Sequence, residues 1–401
     1  MARYTVGLIY GGKSVEHGIS IRSATSLYRQ LIASGHNVVP LGITLEGIWY
    51  LQEPAHGSDW EVLPMVADNA HLLDVCPGRG IFLQASRKKV PIDVCFPITH
   101  GTNGEDGRLQ GLLELLDLPY VGCDPLSSAI GMQKSLAKHI ACAFQIPVVP
   151  AVVMDTDDIA YLAGTVPEAS LRMRGMLAIE TPAQGFPIAR DNPLEGFLQY
   201  LLENLGKDIL LKPDNGGSSV GVTVLRNPTS HGLLAALESV SRYCQTILIE
   251  QLVTGMVEIE CAVLERNGTM LISQPGVVID PAHDVEGFLS YQQKYEAAQC
   301  AYMEIPAPVP PHVAAKLHTF SETLAQAFGV HGFARIDFFY IPKTGQIYFN
   351  EINTLPGMTG TSHYPRLVAT LGYDWPGFLQ ILLDDALLEY GKRKRIIYGE
   401  T

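Results

Sequence analysis

The chain has 401 residues, of which 47% are hydrophobic and 17% charged, with a net charge of −13. That length predicts two or three hydrophobic cores, and the composition excludes a disordered or low-complexity chain. The acidic balance argues against a nucleic-acid surface, which needs clustered Lys and Arg. The N-terminus enters a strand almost at once, and no run of eighteen apolar residues occurs, so a cytoplasmic protein with no membrane partner is expected. The seven cysteines (76, 95, 123, 142, 244, 261 and 300) are odd in number and lack C-x-x-C. They read as reduced and mostly buried, neither a disulfide framework nor a zinc site.

In chain order, TVGLIYGG is a buried strand ending in glycines, and SIRSATSLYRQLIASGH places Ile21, Ala24, Leu27 and Leu31 at helical spacing before a Gly stop. NVVPLGIT is the next strand. This order predicts a parallel α/β sheet that binds ligands at the carboxyl ends of its strands, where Glu16 lies. DVCFPIT followed by HGTNGEDG and a helix repeats the pattern and puts His100 and Glu105 at a second strand end. PYVGCDP reads as a linker, and LSSAIGMQKSLAKHIACAFQIP as one amphipathic helix closed by Pro147. From Asp155 to about Asp208 no period is sustained and prolines recur, which predicts an irregular insertion. DILLKPDNGGSSVGVTVL sets two strands around a Gly/Ser loop, TILIEQLV and VEIECAVLE are further strands, and GFLSYQQKYEAAQC is a loop. The chain closes with a helix, FLQILLDDALLEYGKRKR.

The chemistry concentrates in RIDFFYIPKTGQIYFNEINTLPGMTGTSHYP, from Arg335 to Pro365. Alternation puts Ala334, Ile336, Phe338 and Tyr340 on one face of a strand and Arg335 and Asp337 on the other. Glu351 and Asn353 share a face of the next strand. If the two faces coincide, carboxylates and an amide oxygen form a hard oxygen set suited to Mg²⁺ beside a guanidinium. A sheet with a solvated polar face fits the same spacing. In NGGSSVG, residues 215–221, the glycines allow unusual φ and close approach of N–H groups to phosphate, although the Walker A pattern is missing. Lys212 before that loop and Lys134 on the earlier helix supply positive charge. EQLV from Glu250 fits either a nucleotide hinge followed by a ribose-binding acid such as Glu258, or an ordinary strand end. An acid such as Glu16 in a strand-end loop suits the ammonium of an amino acid.

Taken together, GGKSVEHGIS, HGTNGEDGRLQGLLELLDLPYVG, MQKSLAK, LLKPDNGGSSVGV, SYQQKY, RIDFF and NEINTLPGMTGTSHYP stand in the order found in D-alanine-D-alanine ligases of the ATP-grasp superfamily, which the chain closely resembles over nearly its whole length. The resemblance implies a three-domain α/β (α+β) architecture: an N-terminal parallel α/β substrate domain over 1–123, a central ATP-grasp domain over 124–250 with an insertion near 155–208, and a C-terminal one over 251–401. It also implies ATP-dependent joining of two D-alanines through an acyl phosphate, for peptidoglycan precursors, by a homodimer with small-molecule amino acid substrates. Carried over position by position, Glu16 binds the first ammonium and His100 orients it. Lys134, Lys212, Ser218, Ser219, Glu250, Glu258 and Lys294 hold ATP, with Ser219 also tethering the loop that bears Lys294 and Tyr295. Asp337, Glu351 and Asn353 carry a pair of Mg²⁺ ions, for which Mn²⁺ can substitute. Arg335 and the Gly357 N–H stabilise the oxyanion, and Ser362, bordered by His363, holds the second substrate's carboxylate.

The chain departs from the family pattern at Gly18, Gln133, Leu289 and Ser290, in a hinge one residue longer, and in the insertion near 155–208. The departure at His363, where Leu, Met or Arg is usual, leaves open another acceptor, and with it a related dipeptide or depsipeptide ligase. The intact KY pair, with Tyr295, favours an amine acceptor.

Overall fold

The computed structural model describes residues 2–53, 62–166, 175–177, 192–279 and 302–396. Its first sheet has the order Trp49–Leu51, Asn37–Ile43, Thr5–Gly11, Val94–Pro97. Thr5–Gly11 runs parallel to both neighbours, as the strand, helix, strand order predicts. The helix His17–Ala33 covers it with Ala24, Leu27 and Leu31 buried. Gly11 ends the central strand at φ +86°, where a Cβ would meet the Ile43 carbonyl oxygen at 2.3 Å, so only glycine fits the turn into the site.

Two antiparallel sheets follow. The first has the order 223–226, 208–213, 246–251, 151–155, 175–177. The second is built on Val257–Arg266, Phe333–Ile341 and Gln346–Asn353, with shorter strands at its other edge. The C-terminal helix Trp375–Arg393 turns Phe378, Leu379, Leu382 and Leu383 into a core shared with Val6, Leu8 and Phe96 of the first sheet and Phe333 of the third. That shared core seats the ends of the first sheet's strands beside the hairpin 333–353. Among the described residues, no helix is long and apolar enough to cross a membrane.

Two expectations are corrected. The single helix expected over LSSAIGMQKSLAKHIACAFQIP is two, Pro125–Met132 and Lys134–Ala143, with Gln133 extended between them. Asp214, from the end of the strand Asp208–Pro213, causes the break. Its carboxylate accepts from Ser135 N at 2.6 Å and Ser135 Oγ at 2.7 Å, and its carbonyl accepts from Lys134 N at 2.9 Å. A distant aspartate thus caps the second helix in place of a local residue and sets Lys134 at its first position. The insertion expected to be irregular contains regular helix, Asp158–Leu162 and Pro193–Leu205. Asn192 caps the latter by accepting from Glu195 N, Pro193 opens it, and Phe197, Leu201 and Leu205 pack on the central sheet. Of the prolines that obscured the period, Pro193 marks a helix start.

Asp214→Ala removes three acceptor contacts, to Ser135 N, Ser135 Oγ and Gln133 Nε2, from a side chain that is 1% exposed. Unfolding by urea should show a loss of about 1–2 kcal/mol, and Asp214→Asn, which keeps an acceptor for Ser135 N, should lose less.

Candidate active site

Antiparallel pairing decides the central question left open by the spacing. Arg335 stands opposite Asn353 and Asp337 opposite Glu351, so the polar faces of the two strands coincide. The register shifts between Asp337 and Phe338: Asp337 faces Glu351 while Phe338 faces Phe349, which leaves Asn350 bulged out of the ladder. On the other side, Glu260 of Val257–Arg266 pairs with Asp337 and Ala262 with Arg335. The Arg335 guanidinium is held by Asp337 through Nε at 2.8 Å and Nη2 at 2.7 Å, and its Nε lies 3.2 Å from Glu260 Oε2. Burial, then the Glu260 and Glu351 charges, push the Asp337 carboxyl upward against the opposing Arg335. Three carboxylates therefore crowd a buried site that has room for more positive charge.

The cations come from the other two layers. Lys134 Nζ reaches Glu351 Oε2 at 3.1 Å and donates to the Gly216 carbonyl at 2.6 Å. Lys212 Nζ lies 2.7 Å from Glu250 Oε2, and Lys138 Nζ, wholly buried, lies 2.9 Å from Glu250 Oε1. Burial alone would raise the Glu250 carboxyl, but Lys138 and Lys212 outweigh it and hold it at about 2. Lys212 also reaches Asn350 Oδ1 and Lys138 the Phe349 carbonyl, each at 3.4 Å, tying the triad to the hairpin.

These groups wall a cleft lined in part by Lys134, Lys212, Glu258, Arg335, Asp337 and Glu351. The loop 215–221 roofs it, with Ser218 and Ser219 in the left-handed region at φ 52° and 57°. Gly216 and Gly217 do not take such angles, so in that stretch the unusual backbone belongs to the serines and Gly221. Across the cleft, Glu16 at the start of His17–Ala33 leaves its own helix uncapped and accepts instead from Ser218 Oγ. A Cβ on Gly217 would stand 3.1 Å from Glu16 Oε2, and one on Gly101 at 2.5 Å. His100 is 6% exposed, with Nε2 2.9 Å from Ser23 Oγ and Nδ1 3.2 Å from Glu105 Oε1. Burial and the Glu105 charge raise the Glu16 carboxyl, whereas Ser218, His100 and Lys134 lower it. A substrate ammonium beside it would act in the same direction as that lysine.

The last segment is pinned by Tyr364, which is wholly buried against Phe333 and donates its hydroxyl to the Val263 carbonyl at 2.9 Å. This anchor brings Ser362 to Gly357, where a Cβ would stand 3.0 Å from Ser362 Oγ, and Thr359 N donates to that oxygen at 3.0 Å. His363 Nδ1 lies 3.0 and 3.1 Å from the two oxygens of Glu260.

The family model described as D-ala D-ala ligase N-terminus matches residues 5–123, and that described as D-ala D-ala ligase C-terminus matches 188–384. The D-alanine–D-alanine ligase of Bradyrhizobium sp. (strain ORS 278) is 32% identical over 400 residues, 98% of each chain. That of Heliobacterium modesticaldum is 33% identical over 400 residues, again 98% of each. The chain belongs to the D-alanine–D-alanine ligase family. Among solved structures, the D-alanine–D-alanine ligase of Coxiella burnetii aligns with TM-score 0.73 at 28% identity, covering 98% of this chain and 97% of that one. The VanG D-Ala:D-Ser ligase of Enterococcus faecalis aligns with TM-score 0.70 at 26% identity, covering 97% and 100%. The mixed α/β fold is thus that of the ATP-grasp ligases.

Within this ligase fold, Glu16, Lys134, Lys212, Ser218, Ser219, Glu258, Arg335, Asp337, Glu351 and Asn353 come together around the cleft. Glu250 faces the two lysines and orders them from behind. Lys294 and Tyr295, with Leu289 and Ser290, lie outside the described residues. Sequence reasoning passed over Lys138, Asp214 and Glu260. Lys138 had a signal, since it follows Lys134 by four residues and so shares its helix face; Asp214 and Glu260 had none beyond their place beside a motif.

Glu250→Gln strips the counter-charge from Lys138 and Lys212. At pH 7 the variant should unfold with about 3–5 kcal/mol less stability. Because the folded Glu250 carboxyl is depressed from its ordinary 4.5 to about 2, its contribution is complete above that ordinary value and fades as pH falls towards 2. Denaturant titrations between pH 7 and pH 3 should therefore show the gap between variant and wild type narrowing with acid.

Proposed function

We propose that the chain joins two D-alanines with ATP, supplying the D-alanyl-D-alanine of cell-wall precursors in the cytoplasm. The observation that carries this reading is the meeting, in one cleft, of a guanidinium, a face of hard oxygen ligands and two lysines under a Gly/Ser roof, with a buried carboxylate opposite. In the first step the carboxylate oxygen of one D-alanine attacks the γ-phosphorus of ATP, the bond to the β,γ-bridging oxygen breaks, and ADP leaves an acyl phosphate. In the second, the free amine of the other D-alanine attacks the acyl carbon and loses a proton, and the carbon–oxygen bond to phosphate breaks.

The residues supply what each step lacks. Glu16 would hold the first ammonium. Lys134 and Lys212 offset the polyphosphate charge, and Glu258 faces the same cleft for the ribose. The crowded carboxylates Asp337 and Glu351, with the Asn353 amide oxygen, form the hard donor set that Mg²⁺ prefers, and the upward push on Asp337 is what a divalent cation there would relieve. When bound, Mg²⁺ neutralises charge on the phosphoryl oxygens. Arg335 and the Gly357 N–H would hold the oxyanion of the tetrahedral carbon, and Ser362 beside Gly357 would take the second carboxylate. The alternative acceptor suggested by His363 loses support, because the imidazole is engaged with Glu260.

Incubation with ATP, Mg²⁺ and D-alanine should release phosphate and give a product with the mass of the dipeptide; release of neither overturns the reading. Arg335→Ala should lower kcat by about 10²–10³-fold while ATP binding, followed by calorimetry, stays close to wild type.

A further inference from the structure

His363 opens the short helix His363–Val368, and Tyr364 beside it is fixed by its buried ring and hydroxyl. The His363 backbone is therefore held in place, and its imidazole faces Glu260, which is 5% exposed. Both Glu260 oxygens lie at 3.0–3.1 Å from one nitrogen, Nδ1. An ionised carboxylate offers only lone pairs, so Nδ1 carries the proton and donates. Glu260 Oε2 in turn lies 3.2 Å from Arg335 Nε. Of these three, Glu260 and Arg335 line the cleft and His363 is not among its lining residues.

Asp337 takes the Nε and Nη2 edge of the same guanidinium. Arg335 thus has two carboxylates on one edge, and its aim depends on where each stands. Asp337 is fixed by its strand pairing and by this fork. Glu260, on the neighbouring strand, is held by His363 at both oxygens, including Oε2, the one that faces Arg335. A donor that must meet an oxyanion needs its aim set before the reaction, because reorientation during the step lowers its worth.

We propose that His363 is a positioning residue for Arg335. Its Nδ1–H fixes Glu260, Glu260 fixes the guanidinium, and the segment that carries Ser362 is thereby coupled to the oxyanion donor. This rests on the role given to Arg335 above. It assigns to His363 control of turnover in place of choice of acceptor.

The test uses the full-length protein. His363→Leu should lower kcat about tenfold, less than the loss of an oxyanion donor, with KM for ATP and for D-alanine within about twofold and the ranking of D-alanine, D-serine and D-lactate as acceptors unchanged. His363→Asn, whose amide nitrogen can stand where Nδ1 stands, should recover most of the rate, and His363→Gln should not. Glu260→Gln combined with His363→Leu should be no worse than the poorer single variant, since both cut one chain. In ¹⁵N spectra the Arg335 Nε–H resonance should move in His363→Leu and return in His363→Asn. A changed acceptor ranking at unchanged kcat would show that His363 lines the acceptor pocket and would overturn the proposal. So would equal impairment of the Leu and Asn variants, or a resonance that stays put. If wild type makes no dipeptide at all, the proposed function fails, and the Arg335 resonance still decides the link to His363.

Discussion

A buried triad of charges, Lys138–Glu250–Lys212, holds the layers of this protein in register. Lys138 comes from the helix Lys134–Ala143, Glu250 from the middle of the central sheet and Lys212 from the strand beside it, and all are at most 4% exposed. Taking such groups out of water costs several kcal/mol each, so the arrangement survives only with close geometry and further hydrogen bonds. The Phe349 carbonyl and Asn350 side chain complete it from the C-terminal hairpin. A shift of helix, sheet or hairpin would leave a buried charge without its partner. The energetic cost of the triad is therefore what makes the relative position of three elements unique, and Lys134, one turn before Lys138, inherits that precision at the cleft.

The roof over the cleft is built with the opposite physics. Ser218 and Ser219 adopt left-handed backbone, which costs a non-glycine residue about 1–2 kcal/mol and marks a loop held by its contacts and not by propensity. One such contact is the Ser218 hydroxyl on Glu16. A loop strained at the serines proposed to meet phosphate, and latched to the carboxylate proposed to receive the amino acid, connects the two proposed substrate sites through this hydrogen bond.

The face below the roof is crowded with negative charge by design of the strands. Glu260, Asp337 and Glu351 come from three neighbouring strands and meet because the ladder places them opposite one another. Arg335 and Lys134 offset part of that charge, and the remainder raises Asp337. His363 enters this network from the segment anchored by Tyr364, which gives a residue unusual for the family a partner on the charged face of the cleft.

Alternation and spacing in the chain determined much of this. The period of two in ARIDFFYI and the two-residue step from Glu351 to Asn353 set which side chains share a face, and the strand, Gly turn, helix order set the parallel N-terminal sheet; both are local properties of the backbone. The ordered motifs carried the family. What only the tertiary structure decided were the relations between distant segments. Whether the two hairpin faces coincide depends on register and on the Asn350 bulge. The helix break at Gln133 depends on Asp214, about eighty residues away, and amphipathic spacing cannot register a cap supplied from another sheet. Glu250 is read locally as a strand end, and its role follows from two lysines that reach it from separate elements. His363, one residue from a recognised serine, pointed by sequence to the acceptor; folding gave its Nδ1 to a carboxylate on another strand, because a side chain takes the buried partner within reach and not the one nearest in sequence.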